Sequence, residues 1–286
     1  MKPLLNALLI CCTISLFSQS KADSLLLTKT EWTNTSLDYL RFDVDTITYN
    51  LAGKRHDLYF DLGKRTLTFE ERYSVGGIDK RKEGVKFKIK ELNKSKLVIY
   101  PLDDKVNLDQ EDFKKLDYEP FFKKKEYVFS NREKVFSAVD FEKITFLAST
   151  CFGTCPSFSL EINRDGTIFY QGRIYTKKFT GNFTGNLESK EMIKLQKIMN
   201  RCQLSTMVNN WVQRTKPVDT PRYNYLIELK NGEILEVSTN DQHPILDRLS
   251  NYLINIPQVA ELKKSNKKHS FEKPKVNAYK IVGIED

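Results

Sequence analysis

Cys151 and Cys155 are the residues whose type and spacing come closest to a chemistry. They bound the run Cys151-Phe152-Gly153-Thr154-Cys155-Pro156. Thiol redox chemistry needs a lowered thiol pKa, commonly supplied by a helix N-terminus at a Cys-x-x-Cys turn. Here the spacing is one residue longer, the residues after Cys155 alternate as a strand, and Pro156 removes a backbone donor. The pattern favours a disulfide that closes a tight turn, with Gly153 permitting the reversal. Free or metal-bound thiols and a weak thiol-disulfide oxidoreductase at Cys151/Cys155 are the alternatives.

Other chemistries find less. Cys202 follows Met192, Leu195, Ile198 and Met199 on one apolar helical face and reads as a buried small hydrophobe. His56, His243 and His269 are far apart and show no paired spacing, so the expectation is no metal and no cofactor. Asp43-x-Asp45 opens like a calcium loop, but Thr48 stands where the sixth-position glycine belongs, in a segment read as strand. No Gly-x-Ser-x-Gly elbow and no phosphate-binding glycine loop occurs. The candidate binding residues are Asp219, Arg222 and Tyr170, on the reading that a buried Asp219 sits beside Arg222. The competing reading is a turn aspartate that bonds its own backbone. Tyr39, Tyr49, Tyr59 and Tyr73 are candidates to line a cavity in the first half of the chain.

The elements that must position these residues read as α+β. Residues 25–129 are β-rich: Leu58, Phe60 and Leu62, then Leu67 and Phe69, then Val85, Phe87 and Ile89 alternate with polar residues. Ala52-Gly53-Lys54, Leu62-Gly63-Lys64 and Gly76-Gly77 separate the strands, which predicts an all-β barrel or sandwich. Residues 103–124 read as a polar connector with a short helix around Leu108–Leu116, ended by Pro120. A smaller α+β domain of two hairpins and two helices is predicted over 141–256. Its hairpin turns are Asp165-Gly166 and Asn231-Gly232. A third strand is expected over Tyr175–Phe183, a helix over 189–202, a loop over 203–221 and a last helix over Pro244–Ile254.

The Cys151–Pro156 run, the alternating strand after it, Asp165-Gly166-Thr167, Tyr170-x-Gly172, Asp219-Thr220-Pro221 and the Asn231-Gly232 hairpin come in a particular order. That order resembles a family of exported bacterial proteins carrying a domain of unknown function, over roughly residues 142–256. The resemblance implies an exported α+β domain and carries no activity or catalytic residue with it. The N-terminal β region is more weakly similar to small lipocalin-like domains, which begin with a glycine two residues before a tryptophan. Trp32 is present, and Thr30 holds the glycine position.

Residues 1–20 read as a signal peptide, with Lys2 before a mostly apolar Leu4–Phe17 and small-x-small sites ending at Ser20 and Ala22. Ile10 before Cys11 is bulky where a lipidation signal prefers a small residue. The expected location is therefore periplasmic, outer-envelope or secreted, an oxidising setting in which nearby cysteines pair. No apolar run reaches the roughly 18 residues of a membrane span. The chain of 286 residues carries a formal charge of +9. The tail at 263–286 concentrates seven lysines against three acids, which suits an anionic envelope surface or a solvated terminus. Export argues against nucleic acid as partner. The functional expectation is a non-catalytic exported binding or scaffold protein, with a carrier of a small apolar ligand in the first domain as the alternative.

Overall fold

The computed structural model describes residues 22–75, 79–102, 119–210 and 219–274. The expected signal peptide and the helix expected around Leu108–Leu116 lie outside them. The chain divides between Val135 and Phe136 into two compact units.

The first unit is a closed barrel of eight antiparallel strands in chain order. They are β1 (Glu31–Thr33), β2 (Tyr39–Phe42), β3 (Thr46–Leu51), β4 (Lys54–Gly63), β5 (Thr66–Val75), β6 (Asp79–Leu92), β7 (Lys96–Pro101) and β8 (Tyr127–Asn131). β8 returns to β1, with Trp32 opposite Asn131, so the sheet has no free edge. The period-2 patterns decide which face turns inward. Leu58 and Phe60, Leu67 and Phe69, and Val85, Phe87 and Ile89 all join one apolar cluster with Trp32, Phe42, Tyr49 and Phe129. A bulge between Ile89 and Glu91 shifts β6 so that Leu92 meets Leu97.

Two short helices belong to the barrel. α1 (22–28) lies in the stretch where the β signal was expected to begin, and its Leu27 is fully buried in the barrel cluster. α2 (Glu119–Phe122) contains Pro120 in its first turn, where a missing N–H costs nothing. Asp43 and Asp45 lie in the turn between β2 and β3 and not on a strand.

The second unit is a seven-stranded antiparallel sheet in the order β14-β13-β9-β10-β11-β12-β15. Its strands are β9 (Phe141–Ala148), β10 (Ser157–Asn163), β11 (Thr167–Ile174), β12 (Gly181–Asn186), β13 (Tyr223–Leu229), β14 (Ile234–Thr239) and β15 (Glu261–Lys264). Both expected hairpin turns form. Gly166 and Gly232 have φ of +90° and +83°, and the preceding Asp165 and Asn231 side chains accept from Thr167 and Glu233 N–H.

One face of this sheet is apolar. Phe146 stands opposite Leu160 and Tyr225, and Tyr170 opposite Leu160 and Phe183. The buried helical residues belong with it: Leu195 and Met199 of α3 (Ser189–Met199), Met207 of α4 (Leu204–Asn210), Leu249 and Leu253 of α5 (Asp247–Ile254) and Ile256 of α6 (Ile256–Val259). The stretch expected as loop over 203–221 thus contains a helix. The third strand is shorter than expected, because Tyr175 and Lys177 adopt positive φ and 177–179 form a 3-10 turn before β12 begins.

The basic tail corrects one expectation. Lys263 and Lys264 lie in β15, paired with Thr184 and Phe183 of β12, and 265–274 crosses the other, polar face of the sheet. The His269 ring stacks on Phe169 at 3.9 Å and 4° between planes. Phe271 meets its edge at 4.8 Å, and Glu272 pairs with Lys143 at 3.4 Å. A solvated tail was expected because the lysines dominate the composition; the ring residues between them supply the docking. Residues 275–286 lie outside the described part of the chain.

Candidate functional site

The barrel interior gathers the aromatic rings of the first unit. Alternation along eight strands turns a run of aromatic rings inward, and an eight-stranded barrel has room for its own side chains or one small ligand. Phe42 meets Phe60 at 5.0 Å, and Phe69 meets Phe87 at 4.9 Å. Into this set α2 inserts Phe121, fully buried, with its ring 5.1 Å from Tyr49, 6.1 Å from Phe69 and 6.0 Å from Phe87. Four residues cannot hold a helix by hydrogen bonding alone, so side chains fix it. Tyr127 Oη donates to Pro120 O. Lys124 Nζ pairs at 2.5 Å with Asp38, a carboxylate only 2% exposed. Asp38 also accepts from Asn34 Nδ2 at 2.9 Å and from Ala52 N–H at 3.0 Å. Burial, followed by the Asp38 charge, pushes the Tyr127 phenol up to about 12, so it stays a donor at neutral pH.

The interior is mostly apolar, with the Tyr49 and Tyr127 phenols and the Trp32 indole as its polar groups. The Trp32 indole N–H is buried and finds no acceptor among the described residues. Just outside the barrel wall, Arg132, 1% exposed, pairs with Glu31. Their neighbour Tyr39 has its pKa raised by burial first and by Glu31 second. Of the four tyrosines expected to line a cavity, Tyr49 packs in the barrel's apolar cluster against Phe121. Tyr39 joins the Glu31–Arg132 group, Tyr59 is 37% exposed under the Arg72 guanidinium, and the Tyr73 side chain lies outside the described part.

Cys151 and Cys155 form a disulfide with Cα atoms 5.5 Å apart. The next element is β10, so no helix N-terminus faces either sulfur. The loop is tied to its neighbour: Phe152 N–H donates to Asp219 O at 3.2 Å, and Ser149 exchanges bonds with the Arg222 backbone at 2.8 and 3.0 Å. Asp219 is exposed and takes φ of +67°, a conformation aspartate tolerates in turns. The buried Asp219 beside Arg222 therefore does not form, and both residues lie in the exposed connection leading into β13. Tyr170 is 3% exposed and packs on the apolar face between Phe158 and Phe183, at 5.4 and 6.2 Å. Cys202 is a buried thiol that donates to Ile198 O at 3.2 Å. The described residues contain no group of three or more side chains able to hold a metal ion, and none of their helices is long and apolar enough to cross a membrane.

Phe121 and its latch were missed in the sequence. The available signal was Pro120-Phe121-Phe122 set inside a run of charges.

Comparison with known proteins places one part of the chain. No curated protein and no solved structure matches it. Residues 142–257, within the second unit, match the family model DUF6438, a domain of unknown function.

Proposed function

We propose that the protein is a non-catalytic exported binding protein whose barrel accepts a small, largely apolar ligand at the position Phe121 holds. The observation that carries this reading is the placement of a single aromatic ring inside a closed, aromatic-lined barrel by a four-residue helix. Two side-chain contacts latch that helix. A ring held this way is a removable occupant, unlike the rings rooted in strands. The unpartnered Trp32 N–H suits a ligand with one hydrogen-bond acceptor. The eight-stranded meander with Trp32 on its first strand supports the lipocalin-like reading, and the N-terminal charge and apolar pattern supports export.

Scaffolding by the second unit is compatible with this reading. Thiol exchange at Cys151/Cys155 is disfavoured because a strand, not a helix, follows the pair.

The test is native mass spectrometry of the purified protein, together with titration by the neutral fluorophore N-phenyl-1-naphthylamine. A co-purified lipid-sized mass or saturable binding is expected, and Phe121→Ala should tighten the fluorophore by about tenfold as it removes a competing side chain. No co-purified mass, and no saturable binding by either protein, would overturn the reading.

A further inference from the structure

We propose that the end of the second unit's sheet bearing the disulfide loop docks on an anionic lipid bilayer. The proposal does not rest on the barrel's ligand.

The topology gathers the relevant side chains. β9 ends at Ala148 and β10 begins at Ser157, while β11 ends at Ile174 and β12 begins at Gly181. Both connections therefore leave the sheet at the same end, and the connection into β13 joins them there through Phe152 N–H and Asp219 O. This end carries large apolar side chains in water: Phe152 is 87% exposed, Tyr175 53% and Ile174 52%.

These side chains are held outward by the backbone. The disulfide closes the chain around Phe152, and Gly153 takes φ of +151° beside it. Tyr175 and Lys177 have φ of +58° and +54°, a region that residues with a Cβ enter only when their surroundings impose it. Several contacts impose it here. Thr176 and Thr180 hydroxyls bond at 3.0 Å, and Phe179 N–H donates to Thr176 O at 3.0 Å. The Phe179 ring is anchored on Tyr170 and Phe183 at 6.4 and 5.9 Å. Gly172 lets the loop fold back, since a Cβ there would overlap the Phe179 carbonyl. The loop thus half-buries Phe179 and, at the cost of backbone strain, presents Tyr175 to solvent.

The surrounding charge selects the partner. Lys177, Lys178, Arg173 and Arg222 are exposed at this end, against Asp219 and Asp241 among the described residues. Arg173 spends part of its guanidinium on Ser157 and Ser159. Apolar and aromatic tips beside lysines suit the interface of a negatively charged bilayer, where the rings enter the headgroup boundary and the ammonium groups meet phosphate. A second copy of a chain carrying a net charge of +9 would bring like charges together.

Co-sedimentation tests the proposal with vesicles of phosphatidylcholine alone and of an equimolar mixture with phosphatidylglycerol. The full protein should partition onto the mixed vesicles, more weakly as salt rises. Phe152→Ser combined with Tyr175→Asn should lower partitioning by at least about tenfold; asparagine tolerates positive φ, so the loop backbone is spared. Lys177→Glu with Lys178→Glu should lower it on mixed vesicles alone, by about fivefold or more per lysine. Melting curves check the fold of each variant, and Tyr175→Asn alone decides if Phe152→Ser unfolds. The proposal is overturned if the wild type does not bind mixed vesicles. It also fails if the loop variants bind normally while Lys267→Glu with Lys268→Glu abolishes binding, which would place the contact in the C-terminal segment. Sedimentation velocity showing a dimer that the loop variants dissociate, without vesicle binding, would likewise reject it in favour of a protein interface.

Discussion

Arg132 places a guanidinium where almost no water reaches and balances it with Glu31, whose carboxylate is 11% exposed. Removing one member of such a pair strands the other charge, which costs more than the pair contributes. Arg132→Met should therefore destabilise the first unit by ~3–5 kcal/mol in urea unfolding, and the double variant with Glu31→Met should recover most of that loss. A double variant as unstable as the single one would show that Arg132 acts through other contacts. Phe121 presents the opposite case, an apolar side chain whose removal is expected to alter binding more than folding. Phe→Ala in a core costs ~3–5 kcal/mol, but here the loss should fall mainly on the docking of α2. Amide exchange over 119–122 should quicken while exchange in the barrel strands does not.

At the scale of elements, two attachments invite measurement. The first is the latch of α2. In the folded barrel the Tyr127 phenol keeps its proton up to about 12, against 10.0 when unperturbed. Below pH 10 both states are protonated and the latch contributes fully. As pH rises toward 12 the unfolded chain loses a proton that the folded chain retains, so stability falls. Tm of the first unit measured against pH should show this alkaline loss, and Tyr127→Phe should remove part of it, the raised Tyr39 phenol supplying the remainder. The second attachment is the strand and strap that end the described chain. His269→Ala removes a ring stack worth ~1 kcal/mol and should speed amide exchange over 265–274 without altering β9 or β10. These same elements mark where the sequence was legible. Asp165-Gly166 and Asn231-Gly232 specify their hairpins locally, and period-2 runs such as Leu58 to Leu62 declare which side chains turn inward. α2 is too short for any periodicity and exists because the barrel receives Phe121. The strap's rings are hidden among lysines, and Tyr175 interrupts a strand-like run through tertiary contacts that composition does not display. The disulfide was legible from spacing and the residue types after it, while the exposure of Asp219 depended on where the loop before β13 lay.

At the scale of the whole molecule, each unit has its own core, so the chain should melt in two transitions. Cys151→Ser with Cys155→Ser should lower only the one belonging to the second unit, by ~2 kcal/mol on the loop-entropy account of so short a closure. A shift of the barrel transition in calorimetry would contradict that independence. The strand order of the two sheets also sets a timetable. The barrel closes when β8 meets β1, so all its strands are present once the chain is made through Asn131. The second sheet ends in β15, whose Glu261–Lys264 must reach back to β12 before the far edge is covered. During synthesis, the first unit can mature while β12 still shows a bare edge. A nascent chain stalled between those two points would be half native and adhesive, and that interval is where a chaperone has most to protect.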